Sequence, residues 1–493
     1  MDKRNIRRWL TAGLCIILMS VSVGCRRQET RADESEQTQY DTLHLYMYSP
    51  VKPQDEELVE EEISKITREK LQINVDLETF TKTDANERLF LAEHEEVDLF
   101  SYLGSSQRFI SMISGKEILA LDDLLAERGE GILDYEGEML DAGKWNGQIY
   151  GVPSNREKGD AYGVVLLKSL VDKYEIDVSE IRTWEDLDPV FAIIKEKEKD
   201  LTVLVTEIND WSVAGLMNSM DTLTDARFAV LKEGTKVPRV TNYYETQEWN
   251  QAVRKAHEWY KKGYIKKDVL TSQEEGRKLL DEGKAFAKMS LMNIDRNGEM
   301  EKPEKVYIPL TKTLATTTCA SRDLWVIPSA SSMPEKAMEM LNLMYTDPDI
   351  VNLLQYGIEG VHYTMQEDGT MLHEYNATGK SGYYRGAGQA GNQSLLHVAS
   401  LLGTDFEERW KEKEENTEIS RAFGFRFDPS PVLVEIEEVE KVIDEYAKPL
   451  ESGVIDPVSE LPKFKERLKE AGIYQVIREK QRQLDEWAAK QSE

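Results

Sequence analysis

Hydrophobic and polar positions alternate with two different periods once the chain passes residue 41. Apolar residues occupy every second position over 43–47 and again over 73–77, whereas Val59, Ile63 and Ile66 recur at helical spacing. Period-two alternation places side chains on opposite faces of a strand, and the longer spacing gathers them on one face of a helix. The pattern therefore predicts a strand, a helix and a second strand.

The same alternation of elements continues along the chain. A helix carrying Leu89 and Ala92 precedes a short apolar strand at 97–100, and the region 159–284 repeats the mixture with a strand at 203–205. Strand, helix, strand, helix, strand is the start of an open sheet with right-handed crossovers. We predict an α/β protein with mixed sheets flanked by helices.

A helical segment is expected to close the chain. Ile473, Val476, Ile477, Leu484 and Trp487 fall on one face of a long amphipathic helix.

Ligand contacts are predicted at the ends of the first strands. In open α/β sheets, ligands bind beyond the carboxyl ends of the strands. Tyr48 follows the first strand, and Ser101 and Tyr102 follow the strand at 97–100. We expect these three residues to contact a ligand.

The amino terminus has the pattern of an export signal. Lys3, Arg4, Arg7 and Arg8 precede an apolar run over 9–23 that stops at Gly24-Cys25. The run is shorter than the roughly 20 residues of a membrane-spanning helix. We predict a signal peptide over 1–24, lipidation of Cys25 on the outer face of the cell membrane, and a polar tether over 25–40. Ser22 replaces the usual aliphatic residue of a lipidation site, so a secreted protein is the alternative.

The amino-acid composition limits the classes of binding partner that we expect. The 493-residue chain carries 91 acidic and 62 basic side chains, a formal charge of -29. That charge argues against binding to nucleic acid or to an anionic bilayer surface, so we expect membrane contact through the lipid anchor only. Three cysteines are too few for a disulfide framework. Cys25 is the predicted lipid site. We expect Cys319, much later in the chain, to be buried and to pack as an apolar side chain.

Segments in a fixed order carry a family resemblance. The first, Lys144 to Pro153, is similar to the motif W-x-G-x-x-Y-G-V-P, with a tight turn at Asn146-Gly147 before a strand that brings Tyr150 towards a cleft. The others are 183–187, 281–287, 334–360 and 423–487. Together they resemble the family 1 extracellular solute-binding proteins of ABC importers, in particular the larger lipoprotein members with an extended C-terminal helical segment.

The resemblance implies a two-lobed, periplasmic-binding-protein-like fold of type 2. It places lobe 1 at 41–159 plus 285–329, and lobe 2 at 160–284 plus 330–493. A small solute, most plausibly an oligosaccharide, would bind between the lobes and be delivered to an ABC permease driven by a separate ATPase. The family implies no catalysis and no cofactor.

Further ligand contacts are predicted from aromatic and polar residues near the expected crossings. Aromatic faces beside hydrogen-bonding groups suit sugar rings. The aromatic candidates are Trp211 and Trp325, and the polar ones are Asn293 after an apolar strand, with Arg385 and Asn392 in a glycine-rich loop. Each could equally serve packing or solvation.

Two motif matches are set aside, and no metal is expected. Gly386, Gly388 and Gly391 fit a dinucleotide motif but follow no buried strand. The segment 293–304 nearly fits a calcium loop, but Asn293 replaces the usual aspartate and Pro303 precedes the closing Glu304.

Rival functions remain open from the sequence. A secreted carbohydrate-active hydrolase could hide a catalytic carboxylate pair among the acidic residues. A surface sensor or adhesin could keep the same fold without transport.

Overall fold

Two larger sheets, of five and four strands, organise the part of the chain that the structure describes. The structure is a computed structural model that describes residues 40–81, 96–154, 158–206, 212–217, 219–232, 234–292, 302–374, 381–383, 385 and 390–491. Residues Tyr40–Glu493 form one compact unit; Met1–Gln39 lie outside the described residues.

The strands follow one another along the whole described chain. They are β1 (Asp41–Tyr48), β2 (Ile73–Phe80), β3 (Leu99–Tyr102), β4 (Lys144–Trp145), β5 (Gln148–Ile149), β6 (Val152–Pro153), β7 (Tyr162–Leu167), β8 (Thr202–Val205), β9 (Ala229–Leu231), β10 (Val240–Asn242), β11 (Ala285–Leu291), β12 (Lys305–Pro309), β13 (Leu314–Ala315), β14 (Leu324–Val326), β15 (Tyr363–Met365), β16 (Met371–His373) and β17 (Glu418–Ile419).

The α-helices are interspersed with these strands. They are α1 (Glu56–Lys70), α2 (Ser106–Ser114), α3 (Asp122–Arg128), α4 (Glu130–Glu136), α5 (Lys168–Lys173), α6 (Leu187–Lys197), α7 (Gln247–Lys262), α8 (Gly276–Asp281), α9 (Thr317–Ala320), α10 (Pro334–Thr346), α11 (Pro348–Tyr356), α12 (Phe406–Glu415), α13 (Leu433–Glu451), α14 (Pro457–Glu470) and α15 (Ile473–Lys490).

The first sheet has the strand order β2-β1-β3-β14-β6. β1 runs parallel to β2 and β3, and β14 runs antiparallel to β3 and β6. The alternation at 43–47 and 73–77 is confirmed as β1 and β2, and the helical stripe between them is α1.

The second sheet has the order β12-β7-β11-β8. β11 pairs antiparallel with β7 and parallel with β8, so the sheet is mixed. The central strands β7 and β11 are almost continuously buried, as expected for strands covered on both faces.

Each sheet has its own hydrophobic core. Leu45 of β1 packs with Ile63 of α1 and Leu341 of α10 in one core. Phe286 of β11 packs with Trp259 of α7 and Leu484 of α15 in the other. We call the first sheet with α1–α4 and α10–α12 the first lobe, and the second sheet with α5–α8 and α13–α15 the second lobe.

The predicted division of the later chain differs from this topology. Residues 285–329 were expected in lobe 1, but β11 and β12 bond to β7 in the second sheet. Residues 330–493 were expected in lobe 2, but α10, α11 and α12 contribute to the first core. The chain returns to the first lobe after β12, whereas the prediction placed this return before β11. The strands β11 and β12 therefore belong to the second lobe.

The chain crosses between the lobes at 154–161, 310–323 and 416–421. The backbone groups of Asp160 and Leu314 exchange hydrogen bonds of 3.1 and 3.0 Å, and β13 pairs in parallel with β17. The crossing segments therefore form a small hydrogen-bonded ribbon. None of the helices within the described residues is both long and apolar enough to cross a membrane.

Candidate ligand-binding site between the lobes

One edge of the first sheet faces the crossing segments. Leu324, at the start of β14, pairs with Tyr102 at the end of β3 and with Pro153 at the end of β6. Because β1 runs parallel to β3, Tyr48 also lies at this edge. The edge is the one at which the sequence predicts ligand binding.

The second sheet brings a corresponding edge to the same place. Tyr162, at the start of β7, pairs with Leu291 at the end of β11, and Gly163 pairs with Pro309 at the end of β12. Arg322, two residues before β14, bonds to Asp160, two residues before β7, so the two edges adjoin at the crossing.

Polar side chains cluster on the crossing segments at this junction. Arg322 Nη2 donates to Asp160 Oδ2 at 2.8 Å. Asp160 Oδ1 and Ser154 Oγ are both buried, and neither has a hydrogen-bond partner within the described part of the chain. We call Ser154, Asp160, Tyr162 and Arg322 the crossing cluster.

The electrostatics of the crossing cluster keep it polar at neutral pH. Burial raises the pKa of the Tyr162 phenol to about 12, and the charge of Asp160 adds to the effect. Burial is the largest single influence on the pKa of Arg322 and lowers it, but the charge of Asp160, its hydrogen bond and the neighbouring Cys319 and Asp323 together raise the net pKa. The cluster thus holds a protonated phenol beside a guanidinium whose side chain is 43% exposed.

This arrangement suits recognition of hydroxyl groups. A buried oxygen without a partner is costly, and a solute hydroxyl satisfies it by donating or accepting a hydrogen bond. Within the described residues, no group of three or more His, Cys, Asp or Glu side chains is placed to hold a metal ion.

Comparison with known proteins decides the family. The chain is 30% identical over 359 residues to a carbohydrate ABC transporter substrate-binding protein of Streptococcus pneumoniae serotype 4, covering 69% of this chain and 70% of that one. The chain belongs to the carbohydrate ABC transporter substrate-binding proteins. The resemblance identified from the sequence motifs is confirmed.

The fold comparison agrees with this family. The N-glycan transport solute binding protein NgtS of Streptococcus pneumoniae is 23% identical, covers 90% of this chain and 98% of its own, and gives a TM-score of 0.81. NgtS in complex with Man1GlcNAc gives 0.71, and in complex with Man5GlcNAc 0.67. The predicted two-lobed solute-binding fold is confirmed.

The C-terminal helices of this substrate-binding protein also match a family model. Residues 421–489 match a domain of unknown function, DUF3502. They contain α13, α14 and all but the last residue of α15, the predicted C-terminal helical segment.

Two predicted contact residues lie partly exposed in the first lobe. Tyr48 is half-buried at the end of β1, with its ring centroid 5.8 Å from that of Phe80. Tyr150 is half-buried before β6, and its hydroxyl donates to Gln148 Oε1 at 3.1 Å.

The two predicted residues of β3 are buried in the sheet. Ser101 is opposite Trp325 in the register of β3 and β14. The Tyr102 hydroxyl donates to the carbonyl oxygen of Ser105 at 2.8 Å, and its ring packs on Phe109. Both residues shape the sheet edge rather than present side chains to a solute.

Trp325 is corrected from a ligand platform to a core residue. Its side chain is completely buried in the first core, because β14 inserts between β3 and β6 in the middle of the sheet.

Arg385 is corrected from a cleft contact to a buried ion-pair partner. Its Nη2 lies 3.0 Å from Glu56 Oε2, and its Nε donates to the Tyr383 hydroxyl at 2.6 Å. The side chain is 1% exposed. The pair joins the start of α1 to the segment before residue 390.

Asn392 is corrected to a capping residue. Its Oδ1 accepts a hydrogen bond from the backbone N–H of Ser394 at 2.9 Å, and its Nδ2 donates to the carbonyl oxygen of Tyr345. Both polar ends of the amide are thereby used within the fold.

The remaining predicted positions lie outside the described residues. They are Cys25, Trp211 and Asn293, with most of the calcium-like segment. Cys319 is buried and takes part in no disulfide among the described residues, as expected for an apolar packing role.

The crossing cluster was missed by the sequence analysis. Its members come from two segments that meet only in the folded chain, and none belongs to a motif. The sequence feature that could have identified Ser154 is its position, because it directly follows the Y-G-V-P segment that predicts a crossing.

Proposed function

We propose that this substrate-binding protein captures an oligosaccharide between its lobes outside the cell and delivers it to an ABC permease driven by a separate ATPase. The observation that supports this most directly is the pair of lobes, each with its own core, joined by segments that carry the crossing cluster. Lobes joined by short crossings can close around a solute by hinge motion.

The ligand class follows from the chemistry and from the relatives. Hydroxyl-rich solutes match partnerless buried oxygens and partly exposed tyrosines. The NgtS complexes contain Man1GlcNAc and Man5GlcNAc, and we propose glycans of this kind as the first probes. The proposed ligand contacts are the crossing cluster together with Tyr48, Tyr150, Trp211 and Asn293.

A thermal-shift screen followed by calorimetry tests the function. Binding to the folded state alone adds about 2.7 kcal/mol at a ligand concentration of 100 Kd. We expect at least one oligosaccharide to raise the melting temperature saturably, with one site per chain and no product by mass spectrometry. Release of a shorter glycan would instead indicate a hydrolase, and absence of any shift across neutral and acidic glycans would contradict the proposal.

Ser154→Ala tests the place of binding. The Ser154 hydroxyl has no partner within the described protein, so its removal should cost little stability. If it bonds to the solute, Kd should rise about tenfold, since a lost hydrogen bond is worth roughly 1 kcal/mol or more. Ser179→Ala is the matched control, because that hydroxyl bonds to Asp177 on an exposed turn.

The lipid anchor at Cys25 is a separate proposal. Cells that express the wild type should attach an alkyne fatty acid to the protein. The labelled protein should partition into the detergent phase. Cys25→Ala should abolish the label and release the protein to the medium. Equal release of the wild type would support the secreted alternative instead.

A further inference from the structure

A fully buried lysine on the last helix organises a loop of the second lobe. Lys480 of α15 is 0% exposed. Its Nζ, which has at most three N–H donors, lies within hydrogen-bonding distance of four carbonyl oxygens, those of Thr222 at 2.9 Å, Asp225 at 2.6 Å, Ala226 at 3.1 Å and Ala229 at 2.9 Å. Inward-turned carbonyls around one side-chain nitrogen fix the path of the backbone that supplies them.

That loop is held in an unfavourable backbone conformation. Leu223, Thr224 and Ala226 have φ values of 54°, 68° and 53°, in the left-handed region that L-residues rarely adopt. Such conformations persist only where the surroundings determine them. Thr224 Oγ1 also accepts a hydrogen bond of 3.0 Å from the backbone N–H of Phe427, so a second contact from the C-terminal segment holds the loop.

The loop in turn contacts the first lobe. Asp225 Oδ2 accepts a hydrogen bond of 2.7 Å from the backbone N–H of Gln107, the second residue of α2. A carboxylate is favourable at a helix N-terminus, because the first N–H groups have no partner within the helix. The contact joins the two lobes beside the crossing segments, to which the loop also bonds, since the backbone N–H of Thr224 donates to Thr318 Oγ1 at 3.1 Å.

A buried arginine makes a second, direct contact with the first lobe. Arg426 Nη1 donates to Ser106 Oγ at 2.9 Å, and Nη2 donates to the carbonyl oxygen of Ala142. The guanidinium carbon lies 4.5 Å from the ring centroid of Phe109. Neighbouring Phe425 and Phe427 pack in the second core, so Arg426 extends from one lobe into the other.

We propose that residues 421–489, the segment matching the domain of unknown function, act as a brace that sets the angle between the lobes. One arm is Arg426, which reaches α2 directly. The other runs from Lys480 through the 221–228 loop to Asp225 and Gln107. Apolar packing of this segment in the second core would not require a buried guanidinium in contact with the first lobe. A brace between the lobes accounts for the position of Arg426.

Arg426→Gln tests the direct arm on ligand-free protein. Loss of the charged hydrogen bonds should speed amide exchange in peptides covering 106–110 about tenfold, with the strands of the second sheet unchanged. Small-angle scattering should show a larger radius of gyration, because the lobes sample wider angles. Unchanged exchange and unchanged scattering would overturn the brace.

Arg482→Gln is the matched control. Arg482 lies on the same helix as Lys480 but pairs only with Glu479 and Glu486 of that helix among the described residues, and it is exposed. We expect it to leave both measurements at the wild-type values. An effect as large as that of Arg426→Gln would mean general loosening of the helix and would count against the proposal.

Asp225→Asn provides a second test of the brace in case the Arg426→Gln protein does not fold. It keeps the size of the side chain and removes the charge that faces α2. Exchange over 106–110 should again rise, to a smaller degree, while the melting transition stays cooperative. Wild-type exchange in a folded Asp225→Asn protein would overturn the indirect arm. None of these measurements requires a ligand, so they stand apart from the proposed function.

Discussion

Arg322 and Asp160 join two different crossing segments through a contact of 2.8 Å between Nη2 and Oδ2. Asp160 is on the segment from β6 to β7, and Arg322 is on the segment from β12 to β14. The pair therefore ties together two of the connections about which the lobes would turn.

Arg322→Gln should lower the free energy of unfolding by about 1 kcal/mol, because the Asp160 carboxylate is left buried without its cation. The partial exposure of Arg322 keeps the effect small. Urea unfolding measures it. Arg467→Gln, which removes an exposed pair with Glu445, should lose less, and an equal loss would show that the crossing pair is energetically an ordinary surface contact.

Trp325→Phe should reduce stability by about 1–3 kcal/mol, because it leaves space in a completely buried part of the first core. Calorimetry on the folded variant should give the wild-type Kd for the oligosaccharide. A weakened Kd with unchanged stability would restore Trp325 as a binding residue.

Arg385→Met should cost about 3 kcal/mol, because Glu56 is then left buried without its guanidinium partner. The double variant Glu56→Leu with Arg385→Met should recover most of the loss. A double-mutant cycle by chemical unfolding measures the coupling. Additive losses would contradict a direct pair.

Glu451→Gln should change how stability depends on pH. Burial raises the pKa of Glu451, although hydrogen bonds from Ser212 and Trp249 oppose the shift. A raised carboxyl pKa means that the folded state holds the proton more tightly than the unfolded state, so its stabilising contribution is lost as pH rises through the folded pKa. The amide variant should therefore gain melting temperature over the wild type at pH 8 relative to pH 5.

Glu445→Gln is the control for this pH effect, since Glu445 is on the same helix and exposed. It should change the melting temperature little at either pH. A Glu451→Gln curve parallel to that of the wild type would show that Glu451 does not contribute through ionisation.

Local patterns predicted the elements of the first sheet well. Alternating residues gave β1 and β2, and Asn146-Gly147 forms the expected turn with φ values of 48° and 87°. These signals lie within a few residues of one another, and an Asn-Gly pair tolerates positive φ at little cost.

Long-range partners could not be predicted in this way. Arg385 and Glu56 are 329 residues apart, and nothing near either residue identifies the other. Trp325 was misassigned for the same reason, because its burial depends on where β14 enters the sheet. The strand pattern of β11 likewise does not reveal which sheet it joins, so the lobe boundaries shifted.

The insertion of β14 between β3 and β6 has a consequence for synthesis of the chain. A nascent polypeptide that has reached residue 300 lacks the strand that joins β6 to β3, and its second core still lacks Val476 and Leu484 of the final helix. Neither half can mature until almost the whole polypeptide has left the ribosome. Unfinished apolar surfaces of this kind aggregate readily, so chains truncated before β14 or before α15 are expected to be less soluble than the whole chain.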